Sequence, residues 1–113
     1  MIERDRLEVE GEPEGVMTPS ASSKAQEIFR CPQCRVALWS HYGGAGRKAA
    51  FVRVGMMGRP GDRPPDVHIY TSTKLSWVVP SEGVPVFEEF YPDPDVIWAA
   101  EACARWKALM ALS

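Results

Sequence analysis

Cysteine, histidine and long apolar runs are all scarce in this 113-residue chain, and each scarcity excludes something. Three cysteines leave one over from any disulfide scheme, and two of them sit in Cys31-Pro32-Gln33-Cys34. That usage argues against a disulfide scaffold and for a reducing cytoplasm with a metal or redox site. No stretch approaches the roughly 18 apolar residues needed to cross a bilayer. The start, Met1-Ile2-Glu3-Arg4-Asp5-Arg6, is charged from its third residue, so no secretory signal is expected. An excess of one charge is missing as well. Thirteen Lys and Arg face 15 Asp and Glu, net -2, with the signs interspersed. A mixed, near-neutral surface gives no electrostatic footprint for nucleic acid or an anionic membrane.

What is abundant is turn chemistry, with 9 glycines and 10 prolines spread along the chain. That spacing points to a single β-rich domain over 1–113. Leu7–Glu10 alternates apolar and polar and reads as a strand, while 11–24 reads as a loop. Ala25–Arg30 reads as a strand leading into the cysteine pair. Strands at 36–42 and 50–55 flank a Gly43–Gly46 turn and form a hairpin. Residues 56–66 read as a loop, followed by short strands at 67–71, 75–79 and 84–90. Asp93-Pro94-Asp95 is a helix start, with Asp93 as cap and Pro94 in the first turn. The helix is expected to run to about Ala111, with Val96, Ala99, Cys103, Trp106 and Met110 on one face and Glu101 and Arg105 paired opposite.

Two thiolates two residues apart suit a zinc knuckle, but a closed structural site takes four ligands. Further candidates are His41, His68 and Cys103. Cys103 lies on an apolar helix face and reads as a buried small hydrophobe. His41 ends a strand and reads as solvated or hydrogen-bonded. A redox dithiol is the alternative, because a proline between the cysteines is similar to a glutaredoxin site. That chemistry wants the first thiolate at a helix N-terminus inside a βαβ unit, whereas a strand follows here. Gly43–Lys48 lacks the ending of a phosphate loop. No nucleophile elbow is present, and the four tryptophans have no basic stripe beside them.

Taken in order, several segments resemble the glutathione-dependent formaldehyde-activating enzyme (GFA) family, the domain shared with centromere protein V. Phe29-Arg30-Cys31-Pro32-Gln33-Cys34 is similar to the family's F-x-C-x-x-C, and Val52–Gly55 to its V-x-x-G. Pro65-Asp66-Val67-His68-Ile69-Tyr70 is similar to P-x-x-H-I-[WY], Lys74-Leu75-Ser76-Trp77 to K-x-x-W, and Glu82-Gly83-Val84-Pro85 to D-G-[LV]-P. Leu7–Glu12 is similar to the segment preceding the knuckle. The resemblance spans about 7–92, with a C-terminal helix at 93–112 outside it. It implies a mainly β fold, a β-tent of small antiparallel sheets, and carbon–sulfur lyase chemistry of the S-(hydroxymethyl)glutathione synthase type.

The resemblance also implies what is missing. Family members carry an earlier C-x-C pair that joins the C-x-x-C in a structural zinc site, and a C-x-C-x-x-C cluster that holds a catalytic zinc. This sequence has no cysteine before Cys31. Cys31 and Cys34 therefore match half of the structural site, no position matches the catalytic one, and Arg35 stands where a glycine commonly follows the knuckle. The expected protein is a truncated or diverged GFA-type protein with zinc at a half site and a small thiol such as glutathione as ligand. Its lyase activity is doubtful. The missing strands imply exposed sheet edges. The terminal helix, a homodimer sharing one zinc, or a natural start before Met1 would each compensate. The resemblance puts His68 in a substrate cleft; read alone, it ties down the loop at Asp66. Trp77 is expected in the core.

Overall fold

The computed structural model describes residues 1–21 and 23–112. The fold is mainly β, with an antiparallel five-stranded sheet and a C-terminal helix. The chain divides into two compact units. One comprises residues 1–60 with the segment from Leu109; the other comprises 61–108.

The first unit is the sheet. Its strands are β1 (Ile2–Glu3), β2 (Glu14–Thr18), β3 (Gln26–Arg30), β4 (Ala37–Tyr42) and β5 (Ala49–Val52), in the spatial order β1-β5-β4-β3-β2. Every pairing is antiparallel. β4 is hydrogen-bonded on both edges, and Trp39, Ser40 and His41 are its buried centre. Ala49 and Ala50 beside it are fully buried. Small residues there let β5 close against β4 without displacing the large rings on it.

Phe29 on β3 lies opposite Trp39 on β4, and their rings stack at 4.6 Å with 7° between planes. Gly15 on β2 lies opposite Phe29, where a Cβ would stand 3.1 Å from the Phe29 ring and 2.8 Å from the Glu27 carboxylate. A glycine in this edge strand thus makes room for the aromatic beside it. The register shifts between Phe29 and Arg30, which pair with Trp39 and Ala37 and leave Leu38 as the extra residue. This bulge lies next to the connection Cys31–Val36, where a kink re-aims the hairpin tip.

Two expectations change here. Leu7–Glu10 is not a strand; Ile2–Glu3 takes the edge position against Ala49 and Ala50 instead. β2 forms inside the segment read as a loop. Pro13 and Pro19 bracket it, and an edge strand tolerates proline and glycine that a central strand would not.

In the second unit the expected strands at 67–71, 75–79 and 84–90 shrink to a single bridge, His68 with Val86. Tyr70, Thr71 and Ser72 still donate backbone N–H groups to the carbonyls of Glu89, Phe87 and Glu88, but without regular register. At 75–79 the Val78 N–H closes a turn onto the Leu75 carbonyl. Trp77 is 75% exposed, which corrects its expected place in the core.

The helix start is as expected. Asp93 Oδ1 accepts from the Asp95 N–H at 3.0 Å, and Pro94 opens α1 (Pro94–Ile97). The helix then breaks at Trp98, which is extended (ψ 151°), before α2 (Ala100–Met110) resumes. The break aims the Trp98 indole at the Tyr91 hydroxyl (2.7 Å) and sets its ring 5.8 Å from Trp106. It also resets the helical phase, so Val96 is 78% exposed rather than on the buried face with Cys103.

Candidate metal centre

Cys31 and Cys34 sit at the tip of the β3–β4 hairpin. The strand ladder is replaced there by two backbone bonds: Cys31 N–H to the Val36 carbonyl at 3.0 Å, and Arg35 N–H to the Cys31 carbonyl at 2.9 Å. Closing so tight a loop needs one residue in the left-handed region, and Arg35 occupies it with φ 66°. A non-glycine residue there carries a cost of about 1–2 kcal/mol. Its neighbours hold it in place. The Arg35 guanidinium pairs with Glu14 at 2.7 Å, and Arg30 Nη1 donates to the Arg35 carbonyl at 3.0 Å. The missing glycine therefore leaves the turn intact.

The turn aims its own N–H groups at one sulfur. The backbone N–H groups of Cys34, Gln33 and Arg35 and the Cys34 side chain hydrogen-bond the Cys31 thiol, and hold its pKa below the ordinary 9.0. Donors that converge on a thiolate favour the charged form, which is the form that binds metal or acts as a nucleophile. Cys34 is exposed and Cys31 half-buried, and both are free thiols. A zinc ion fits this donor set in kind, as two soft thiolate ligands, but the tip supplies two ligands of the four a closed site takes.

The other candidate ligands are engaged elsewhere. His41 is buried. Its Nε2 accepts from Trp39 Nε1 at 2.9 Å, and its Nδ1 bonds the Ala49 carbonyl at 2.7 Å, where the ring nitrogen must be the donor. Both nitrogens are thus committed in one neutral tautomer, and the ring anchors β4 to β5. His68 Nε2 accepts from the Ser81 N–H at 3.1 Å, so it ties down a loop, but the one at Ser81 rather than at Asp66. Cys103 is buried against the Pro94 carbonyl, with burial foremost in pushing its thiol pKa up. Among the described residues, no group of three or more His, Cys, Asp or Glu is placed to hold a metal ion.

Beside the knuckle, one face of the sheet carries an aromatic layer. The guanidinium of Arg4 lies 5.2 Å from the Trp39 ring centre, and that of Arg47 lies 5.7 Å from the Phe29 ring. Arg47 also grips Glu27 through two bonds of 2.8 and 2.7 Å, which lower the Glu27 pKa. Sequence reasoning passed over these arginines. Their only signal was Phe29 and Trp39 falling opposite each other in the hairpin, with charged residues at unrelated positions. Arg35 was visible as a departure from the family pattern, though not its ion pair with Glu14.

A five-stranded antiparallel sheet with a cysteine pair on one hairpin tip defines a mainly β protein with a C-x-x-C turn. The chain belongs to the glutathione-dependent formaldehyde-activating enzyme (GFA) family, whose model matches residues 1–73. The match covers the knuckle and the His68 segment and ends before Lys74–Trp77 and Glu82–Pro85. Neither a curated protein nor a solved structure matches the chain. Among the described residues, no helix is long and apolar enough to cross a membrane.

Proposed function

We propose that this GFA-family chain is a cytoplasmic zinc-binding protein that uses Cys31 and Cys34 as ligands and does not by itself condense formaldehyde with glutathione. The observation that carries the reading is the tight turn that sets Cys31 and Cys34 together at one hairpin tip, closed by the Cys31 N–H to the Val36 carbonyl and the Arg35 N–H to the Cys31 carbonyl, in a setting whose hydrogen bonds lower the Cys31 pKa. A lyase site that keeps an open zinc position for a thiol substrate takes about three protein ligands. The three cysteines of this sequence do not supply them, because Cys103 is buried in the second unit. Bound metal supplies a tetrahedral crosslink. The chain's own part is to hold two thiols together on a turn that Arg30 and Arg35 brace through the Arg35 carbonyl and Glu14. A small thiol such as glutathione is the ligand class suited to any position the protein leaves open.

Zinc removal tests this reading. A chelator should lower the melting temperature of the wild-type chain and leave Cys31→Ser unmoved, and zinc-loaded protein should consume glutathione and formaldehyde no faster than the uncatalysed mixture. A chelator-insensitive wild type that cycles reversibly between dithiol and disulfide would establish the redox alternative, which the lowered Cys31 pKa also favours. Consumption above background would overturn the non-catalytic part of the proposal.

A further inference from the structure

We infer that the second unit carries a binding site for a small organic cation with a quaternary ammonium head, in a cavity walled by Trp98 and Trp106 and rimmed by Asp93 and Asp95. The cavity has a volume of about 180 Å³, and all of its lining residues belong to that unit. An apolar cavity of roughly 150 Å³ holds a benzene-sized molecule. This one therefore takes a head group rather than a drug-sized ligand.

The walls are aromatic. Trp98 and Trp106 line the cavity with their rings at 88° and their centroids 5.8 Å apart. Trp98 is fixed from two sides: its indole donates to the Tyr91 hydroxyl at 2.7 Å, and its backbone N–H to the Pro94 carbonyl at 2.7 Å. A cation over an indole is attracted by the ring quadrupole, and tryptophan is the best of the aromatic partners.

The rim sets the sign. Asp93 and Asp95 bring two carboxylates against one ammonium, that of Lys107. The Lys107–Asp95 pair is 3.6 Å long, between side chains 71% and 58% exposed, so it contributes little and is open to exchange. Cys103 lines the same cavity and reports its field. After burial, Asp95 and Asp93 push the thiol pKa up, with Lys107 opposing them. A metal cation is not the match, because among the described residues no group of three or more His, Cys, Asp or Glu is placed to hold one. A bare ammonium is strongly hydrated and has little to gain from indole walls. A methylated head group is satisfied by the walls and the acidic rim together.

The test is titration of the full chain with choline chloride at constant ionic strength, read by the indole N–H resonances. Saturable shifts are expected at Trp98 and Trp106, with Trp39 and Trp77 unmoved. The uncharged analogue of choline, with a quaternary carbon in place of nitrogen, should bind about tenfold more weakly. Asp95→Asn should weaken choline about threefold, and Lys107→Ala, which removes the competing ammonium, should strengthen it about threefold. Both substitutions lie at exposed positions, and unchanged circular dichroism confirms the fold. Equal binding of the uncharged analogue would overturn the cation assignment. Weaker binding by Lys107→Ala would overturn the role of the acidic rim. A trimethyllysine peptide binding an order of magnitude more tightly than choline would overturn a free small molecule as the occupant. No saturable shift on folded protein would overturn the site.

Discussion

The two units of this chain bury aromatic residues by different means. In the sheet unit, Trp39 and Phe29 stack flat across paired strands, the indole donates to His41, and His41 in turn bonds the Ala49 carbonyl. Every polar atom of that chain of contacts has a partner inside the ladder. In the second unit, Phe87, Phe90, Tyr91, Trp98 and Trp106 meet at edge-on or tilted angles, and the Tyr91–Trp98 hydrogen bond is the polar tie within them. Leu75, Trp77, Val78 and Val79 of the same unit stay exposed. A strand ladder fixes which side chains face each other; a run of turns does not. Apolar residues in the second unit are therefore distributed by local turn geometry, and many remain outside.

The largest test of this contrast compares two tryptophans. Trp39→Ala removes the stack on Phe29 and leaves His41 Nε2 without its donor, so it should destabilise the protein by about 3–5 kcal/mol. Trp77→Ala, in the turn at 75–79, should change stability by no more than about 0.5 kcal/mol. Urea unfolding with an unchanged slope measures both. Comparable losses at the two positions would mean that the exposed turn is docked on something, and the contrast would fail.

The cysteines sharpen the same comparison. Cys31 lies under backbone donors that favour its thiolate, whereas burial leads the causes that keep Cys103 in the neutral thiol. Alkylation of folded protein, followed by mass spectrometry across a pH series, should modify Cys31 with a midpoint below the ordinary thiol value of 9.0. Cys103 should react only through opening, each about 1.4 kcal/mol of opening free energy slowing it about tenfold. The signs of the linked stabilities are opposite. The lowered Cys31 pKa stabilises the fold above 9.0, an effect lost as the pH falls through its folded value. The raised Cys103 pKa stabilises below 9.0, and that is lost as the pH rises through its folded value. Early labelling of Cys103 at neutral pH would show that the helix end of the second unit opens far more readily than its packing implies.

The same division marks what the sequence made legible. The hairpin of β4 and β5, the strand entering the knuckle and the Asp93 cap were all readable, because each rests on local rules: alternation, a glycine turn, a capping carboxylate. Three features were hidden, each set by a distant partner. β2 is a strand because β3 lies beside it, despite Gly15. The helix breaks at Trp98, where the indole finds the Tyr91 hydroxyl. Residues 75–79 have strand-like composition but no neighbouring strand to pair with. The site divides in the same way: the cysteine spacing was legible, whereas the donors on Cys31 come from a turn conformation that Arg35 was not expected to adopt.

Arg35 gives the smallest and most local test. Its left-handed conformation costs energy, while its ion pair with Glu14 joins side chains 53% and 56% exposed, a setting in which such a pair contributes under about 1 kcal/mol. Arg35→Ala loses the pair and keeps the backbone cost. Arg35→Gly loses the pair and relieves that cost. The glycine variant should therefore be about 1 kcal/mol more stable than the alanine variant, and close to wild type, since glycine also gains freedom in the unfolded chain. Thermal unfolding of the two variants side by side reads this difference with the ion pair cancelled out. An alanine variant as stable as the glycine one would mean that the turn relaxes away from the left-handed region once the guanidinium is gone. The lowered Cys31 pKa would then depend on the Arg35 side chain as well as on the backbone, and the midpoint of Cys31 alkylation would move up in pH in that variant alone.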